Sequence, residues 1–144
     1  MFSKSCEYAI KAMIFIAQKS NSQTRVSIKD IANGTDAPEH FIAKILQELS
    51  KKRLVQSIKG PKGGFFMDRT NLESSIADII KAIDGDSIYT DCLIGLKICS
   101  EKNPCPIHFE YKEIKKNLIN LIENNTIADF NDKLESGKFF LKNE

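Results

Sequence analysis

The stretch Ser27-Ile28-Lys29-Asp30-Ile31-Ala32-Asn33-Gly34-Thr35-Asp36-Ala37-Pro38 constrains the fold more than any other part of the chain. Ser27 and Asp30 make a capping box, in which a hydroxyl and a carboxylate satisfy the free N–H groups that open a helix. Gly34 reads as a left-handed stop, and only Thr35, Asp36 and Ala37 separate it from Pro38, a residue suited to the first turn of a new helix. Two helices joined by so short a turn form a helix-turn-helix corner. The second is expected over 38–52, with Phe41, Ile42, Ile45, Leu46 and Leu49 facing inward. Glu39, His40, Ala43, Lys44, Gln47 and Lys51 then face outward.

The flanking segments complete a mainly helical unit. Over residues 3–20, Ala9, Ala12, Met13, Ile16 and Ala17 keep helical spacing, and Tyr8, Ile10, Ile14 and Phe15 widen the stripe until the helix must be buried on two sides. A polar break at 21–25 follows. After the corner, 54–58 and 65–67 read as two short strands around Lys59-Gly60-Pro61-Lys62-Gly63-Gly64, a glycine-rich hairpin with lysines at its tip. A second capping box, Ser75 with Asp78, opens a helix striped by Ile76, Ile79, Ile80 and Ile83 and ended by Gly85. Residues 86–104 show no sustained period, and so long a structureless stretch inside a domain is usually functional. From Pro106 onward Ile107, Tyr111, Ile114, Leu118 and Leu121 recur at coiled-coil spacing, which predicts a dimerisation helix, although packing within one subunit would use the same stripe. A last helix follows Thr126, with Phe130 and Leu134 inward and Gly137 as its end. The fold class expected is a winged helix-turn-helix with a two-stranded wing and a long C-terminal dimerisation helix. It divides into a DNA-binding region at 1–84, a cysteine-bearing loop at 85–106, and a dimerisation helix with a terminal helix at 107–144.

Charge separates along the same line. Residues 1–70 hold 12 Lys and Arg against 6 Asp and Glu, and residues 71–144 hold 9 against 13. A basic half joined to an acidic half suits a nucleic-acid module followed by a regulatory one, because only one of them has to neutralise phosphates. The longest apolar run, Ala12 to Ala17, is too short for a membrane span, and with no signal pattern at the amino terminus a cytoplasmic location is expected.

A recognition helix must project short polar side chains from its first turns toward base edges in the major groove. Glu39, His40 and Lys44 are the candidates, with Ala43 against a thymine methyl, and Lys51, Lys59 and Lys62 as phosphate or minor-groove contacts. The glycines around Pro61 and Lys62, Gly63 included, permit a tight tip that enters a narrow groove. A phosphate-binding loop is excluded, because the Gly-Lys-Ser/Thr ending and following helix are missing.

Cys92, Cys99 and Cys105 form a C-x6-C-x5-C array, with His108 three residues beyond. In a reducing compartment such an array points to metal or redox chemistry rather than a structural disulfide. Thiolates are soft ligands for an iron-sulfur cluster or zinc. Structural zinc usually shows a C-x2-C knuckle; wide spacings suit ligands that reach different irons of one cluster. From spacing alone zinc stays open, as do bare thiol sensors. His108 is the nearest fourth ligand, and Cys6 and Glu7 are candidates from the first helix, although Cys6 reads better as a small buried core residue.

Taken together, these residues resemble the Rrf2 family of winged-helix regulators, which includes IscR-like cluster regulators and NsrR-like nitric-oxide sensors. The likeness rests on Glu7-Tyr8-Ala9, residues 28–32, Leu54-Val55-Gln56-Ser57-Ile58-Lys59-Gly60-Pro61-Lys62-Gly63-Gly64-Phe65, and the cysteine triplet with Asn103-Pro104-Cys105-Pro106. It implies a homodimer formed through 107–124, double-stranded operator DNA as partner, transcriptional regulation with repression the expected mode, and a 2Fe-2S or 4Fe-4S cluster on Cys92, Cys99 and Cys105. It also implies a fourth ligand at His108, as in IscR-like members, or at Glu7 from the other subunit, as in NsrR-like ones. Ala43 replaces a sequence-reading glutamate, Lys59 replaces a common arginine, and the first cysteine spacing is one residue longer than the family pattern. No nucleotide fingerprint, nucleophile-base pair or catalytic carboxylate pair suggests an enzyme. The alternatives are a metal-free thiol regulator and a winged-helix adaptor that binds protein.

Overall fold

The computed structural model describes residues 2–20 and 23–141, so Asn21 and Ser22 of the expected polar break lie outside the described residues. In chain order the elements are α1 (Lys4–Lys19), α2 (Ile28–Thr35), α3 (Glu39–Lys51), β1 (Gln56–Ile58), β2 (Gly64–Phe66), α4 (Arg69–Leu72), α5 (Ile76–Asp84), α6 (Ser87–Thr90), α7 (His108–Glu123) and α8 (Ile127–Glu135). This is a mainly helical winged helix-turn-helix. Among the described residues no helix is long and apolar enough to cross a membrane.

The core is organised around α1. Ser3 caps it by accepting from the Cys6 N–H, and Cys6, Ala9, Ala12, Met13, Ile14 and Ile16 are all buried. Apolar side chains around most of its circumference let it touch α2, α3, α5, α8 and β2. Ala9 and Ala12 are fully buried and small, which lets neighbouring backbones approach. The Ser27–Asp30 and Ser75–Asp78 capping boxes open α2 and α5 as their sequences require, and a further box, Thr126 with Asp129, opens α8. Paired backbone bonds from Ile76 N–H to the Asn125 carbonyl and from Ile127 N–H to the Ser74 carbonyl tie the starts of α5 and α8 together.

Several local expectations are corrected. Gly34 does not stop α2 but lies within it, and the left-handed residue is Asp36, at φ 52°. Gly34 is small for a packing reason: a Cβ there would stand 2.1 Å from the Phe15 ring. Pro38 occupies the cap position of α3, one residue before the helix. Phe41 is not on the inner face of α3; it is 44% exposed, with its ring between those of Tyr8 and His40. The strands are shorter than their apolar runs and pair in the register Gln56↔Phe66, Ser57↔Phe65, Ile58↔Gly64. Phe65 also exchanges backbone bonds with Val26, which anchors the wing to the segment between α1 and α2. Helix α4 has no apolar stripe to announce it and rests on a capping box between Asp68 and Asn71. The buried Asn71 side chain donates to the Arg53 carbonyl and so fixes the junction of α3 with the wing. The stretch without period contains one short helix, α6.

On α7 the expected seam divides between two faces. Leu118 packs on the core beside buried Ile122, whereas Ile107, Ile114 and Leu121, seven residues apart, stay exposed. Because α1 is enclosed, enlarging one of its small residues should strain several contacts together. Ala12→Leu is expected to destabilise the protein by about 1–3 kcal/mol through overpacking, read from urea unfolding midpoints. An unchanged midpoint would mean that α1 has free space beside it.

Candidate metal centre and nucleic-acid interface

The three cysteines converge at the end of the loop that joins α5 to α7. Gly85, at φ 76°, turns the chain out of α5, and α6 carries it toward Cys92. Cys92 Sγ and Cys105 Sγ are 3.8 Å apart, Cys99 Sγ is 3.2 Å from His108 Nδ1, and the three sulfurs lie within 4.8 Å of one another. Cys105 is buried, and Cys92 and Cys99 are half-buried. His108 is the first residue of α7, so its ring is aimed by a rigid element, and its N–H bonds back to the Cys105 carbonyl.

Polar struts hold the loop on α7. Tyr89 donates to the Glu123 carboxylate at 3.2 Å, Lys115 donates to the Asp91 carbonyl at 3.3 Å, and Lys112 pairs with Glu101. Between them opens a cavity of about 490 Å³ lined by the cysteines, His108, Tyr111 and Ile119. The Cys92 thiol is held below its ordinary range, first by the backbone N–H of Leu96 and then by that of Ile94, against the opposing effect of burial. Cys99 is pushed up: the Cys105 backbone favours its thiolate, but burial and the Cys105 and Cys92 thiols outweigh it. Three thiolates this close repel unless a cation lies among them, which is the electrostatic signature of a thiolate metal site.

Cys6 stands apart. It is buried in α1, and its thiol is pushed up to about 12, first by burial and then by Asp84, which leaves it a core residue. Glu7 is exposed on α1 and pairs with Lys4 at 3.2 Å, and among the described residues it does not join the cysteine group.

The second surface is the outer side of α3 with the wing. His40, Ala43 and Lys44 line an open groove of about 500 Å³ together with Gln47, Ser50, Ser57 and Phe65. Glu39 and Lys51 are exposed at the two ends of α3. Lys59, Pro61 and Lys62 are exposed at the wing tip, where Gly63 N–H closes the turn onto the Gly60 carbonyl at 2.9 Å. Lys44, Lys51, Lys59 and Lys62 make no ion pair among the described residues. Gly63 has a steric reason to be glycine, since a Cβ would stand 2.1 Å from the Ile58 carbonyl oxygen. Ser57 and Phe65 were missing from the sequence-derived set because only the strand register brings them opposite α3. Gln47, by contrast, was visible from helical spacing alone. Likewise Tyr89, Lys112 and Lys115 reach the centre only through the way the loop folds back on α7.

A family model described as Rrf2, iron-dependent transcriptional regulator, matches residues 2–133. The chain belongs to the Rrf2 family. A protein of Aquifex aeolicus, provisionally named an HTH-type transcriptional regulator, is 34% identical over 131 residues, covering 90% of each chain. The HTH-type transcriptional regulator NsrR of Bacillus licheniformis is 31% identical over 99 residues, covering 69% of this chain and 65% of that one. In three dimensions the fold matches T. potens IscR with a TM-score of 0.74 at 24% identity, over 97% of this chain and 92% of that one. As an Rrf2 protein the chain is a transcriptional regulator, and its cysteine triplet suits an iron-sulfur sensor of that family.

The thiols should differ in reactivity. With iodoacetamide near neutral pH and no metal present, Cys92 is expected to be alkylated first and Cys6 last, because rate follows thiolate fraction and access. Mass spectrometry of the digested protein reads the order, and Cys6 reacting as fast as Cys92 would contradict the arrangement described.

Proposed function

We propose that the chain is a homodimeric DNA-binding regulator whose affinity for operator DNA follows the state of a 2Fe-2S cluster held by Cys92, Cys99, Cys105 and His108. The observation that carries this reading is the pairing of donors: Cys92 with Cys105 at 3.8 Å, and Cys99 with His108 at 3.2 Å. A rhombic cluster takes two protein ligands on each of two irons, and a cubane takes one on each. Two pairs therefore favour the smaller cluster and His108 over Glu7. Cluster loading needs the pairs to part around the bridging sulfides, which a loop of turns and bends permits more readily than a helix. When bound, the cluster supplies a centre that responds to oxidation, iron supply or a small gas such as nitric oxide.

The chain's own residues would transmit that state. The loop continues directly from α5, and α5 packs on both α1 and α3. Ser3, the cap of α1, donates its N–H and hydroxyl to the Asp84 carboxylate at the end of α5, so the loop hinge and the core helix share an anchor. The exposed stripe Ile107, Ile114 and Leu121 on α7 supports dimerisation, which sets two copies of α3 against half-sites roughly 34 Å apart. Residues 1–84 then bind DNA, 85–106 carry the cluster, and 107–144 join the subunits. On each half-site Glu39, His40, Ala43 and Lys44 face base edges, Lys51 faces phosphate, and Lys59, Pro61, Lys62 and Gly63 enter the adjoining minor groove.

A metal-free alternative keeps one observation in its favour: Cys92 and Cys105 need little movement to form a disulfide. Protein purified without oxygen distinguishes the two. The cluster reading predicts visible absorbance with equal iron and acid-labile sulfide, lost in Cys99→Ser, retained in Glu7→Gln and altered in His108→Ala. Colourless protein that accepts no iron and sulfide would leave the thiol reading. For the DNA face, Lys51→Ala and Lys62→Ala are each expected to reduce the slope of log affinity against log salt by about 1, measured by fluorescence anisotropy on duplex DNA. Unchanged slopes would remove those lysines from the interface.

A further inference from the structure

The sulfurs stand closer together than ligands on opposite irons of a sulfide-bridged cluster. All three lie within 4.8 Å of one another, and Cys92 and Cys105 are 3.8 Å apart. Two thiolates on one tetrahedral ion, each bound at about 2.3 Å, stand about 3.8 Å apart, and a thiolate and an imidazole nitrogen on that ion about 3.6 Å. Cys99 Sγ and His108 Nδ1 are 3.2 Å apart, within a few tenths of an ångström of the second figure. The three sulfurs are thus near the spacing of a single-ion site, and His108 adjoins it beside Cys99.

We propose that the same donors form a mononuclear tetrahedral site for a thiophilic divalent cation such as zinc, and that this ion and the cluster exclude one another. The inference rests on reading the three thiols as metal ligands, but it assigns them a second occupant. Cys92, Cys99 and Cys105 bind as thiolates, their protons leaving to solvent, and His108 binds through Nδ1 with its proton on Nε2. Three thiolates and one divalent ion leave a net charge of −1. The backbone N–H groups of Leu96 and Ile94 aimed at Cys92, and Lys115 and Lys116 on the adjoining cavity, compensate it. The donor set is three sulfurs and a nitrogen, so it rejects magnesium and calcium, which require oxygen ligands. A single ion holds the loop contracted, whereas the cluster needs the two ligand pairs apart, so occupancy by the ion blocks cluster assembly.

Cobalt(II) is the probe. Full-length, cluster-free protein titrated without oxygen is expected to saturate at one equivalent with the intense visible bands of four-coordinate cobalt and a near-ultraviolet sulfur-to-cobalt band. Cys99→Ser should weaken the sulfur band, and His108→Ala should shift the visible bands while leaving the sulfur band in place. Zinc should displace the cobalt, and zinc-loaded protein should develop no cluster absorbance with iron and sulfide until a chelator removes the ion. Binding that does not saturate at one equivalent, the pale spectrum of six-coordinate cobalt, or cluster assembly undiminished by zinc would overturn the proposal. Circular dichroism of each variant separates loss of the site from loss of the fold. Iron and sulfide added to metal-free protein test the cluster separately: failure there with cobalt bound removes the cluster reading alone, and success there without cobalt binding removes this one.

Discussion

The recognition helix, the wing and the helix that leads to the cysteines are all positioned by the burial of α1 around most of its circumference. Helices α2, α3, α5 and α8 and strand β2 all lean on it, and its fully buried Ala9 and Ala12 let them approach closely. A helix so enclosed cannot rotate or slide without disturbing the recognition helix, the wing and the helix that leads to the cysteines. The apolar surface involved makes this more than a geometric statement. Burying side chains such as Met13, Ile14 and Ile16 contributes about 1.5–3 kcal/mol each relative to exposure, before the opposing loss of chain entropy.

Under the proposed function, that constraint makes a distant loop relevant to DNA. The cysteine loop has little regular structure of its own, but it is fixed at both ends: by Gly85 and the Ser3–Asp84 anchor at one, and by the first turn of α7 at the other. Its contacts with α7 are polar and mostly exposed, through Tyr89, Lys115 and the Glu101–Lys112 pair. Exposed bonds of this kind are individually weak, so the loop can change shape at small cost while the apolar core stays intact. A sensor needs this division, with a loose segment where the signal arrives and a rigid frame that carries its consequence.

Much of this was legible in the sequence because it depended on local rules. Capping boxes at Ser27 and Ser75 marked helix starts, glycines around Lys62 marked the wing, and soft ligands at wide spacing marked the centre. What escaped was set by partners distant in the chain. Gly34 reads as a stop until Phe15 is seen to occupy the place of its missing Cβ. Phe41 fits the inner stripe of α3, yet it lies at the edge, where rings of Tyr8 and His40 flank it. Helix α4 exists because Asn71 must hold the Arg53 carbonyl, a need that no apolar periodicity records. The grouping of Cys92 with Cys105 and of Cys99 with His108 is likewise a property of loop folding, invisible in the spacing of the cysteines.

The central claim is that one centre, through α5 and α1, sets how α3 meets DNA. It is tested most directly by measuring, without oxygen and at one salt concentration, the affinity of cluster-loaded and cluster-free protein for a duplex selected from random sequence by this protein. Coupling between the sites predicts affinities that differ by roughly 5–150-fold, the range carried by about 1–3 kcal/mol. Equal affinities for the two forms, each shown to be folded and dimeric, would contradict it.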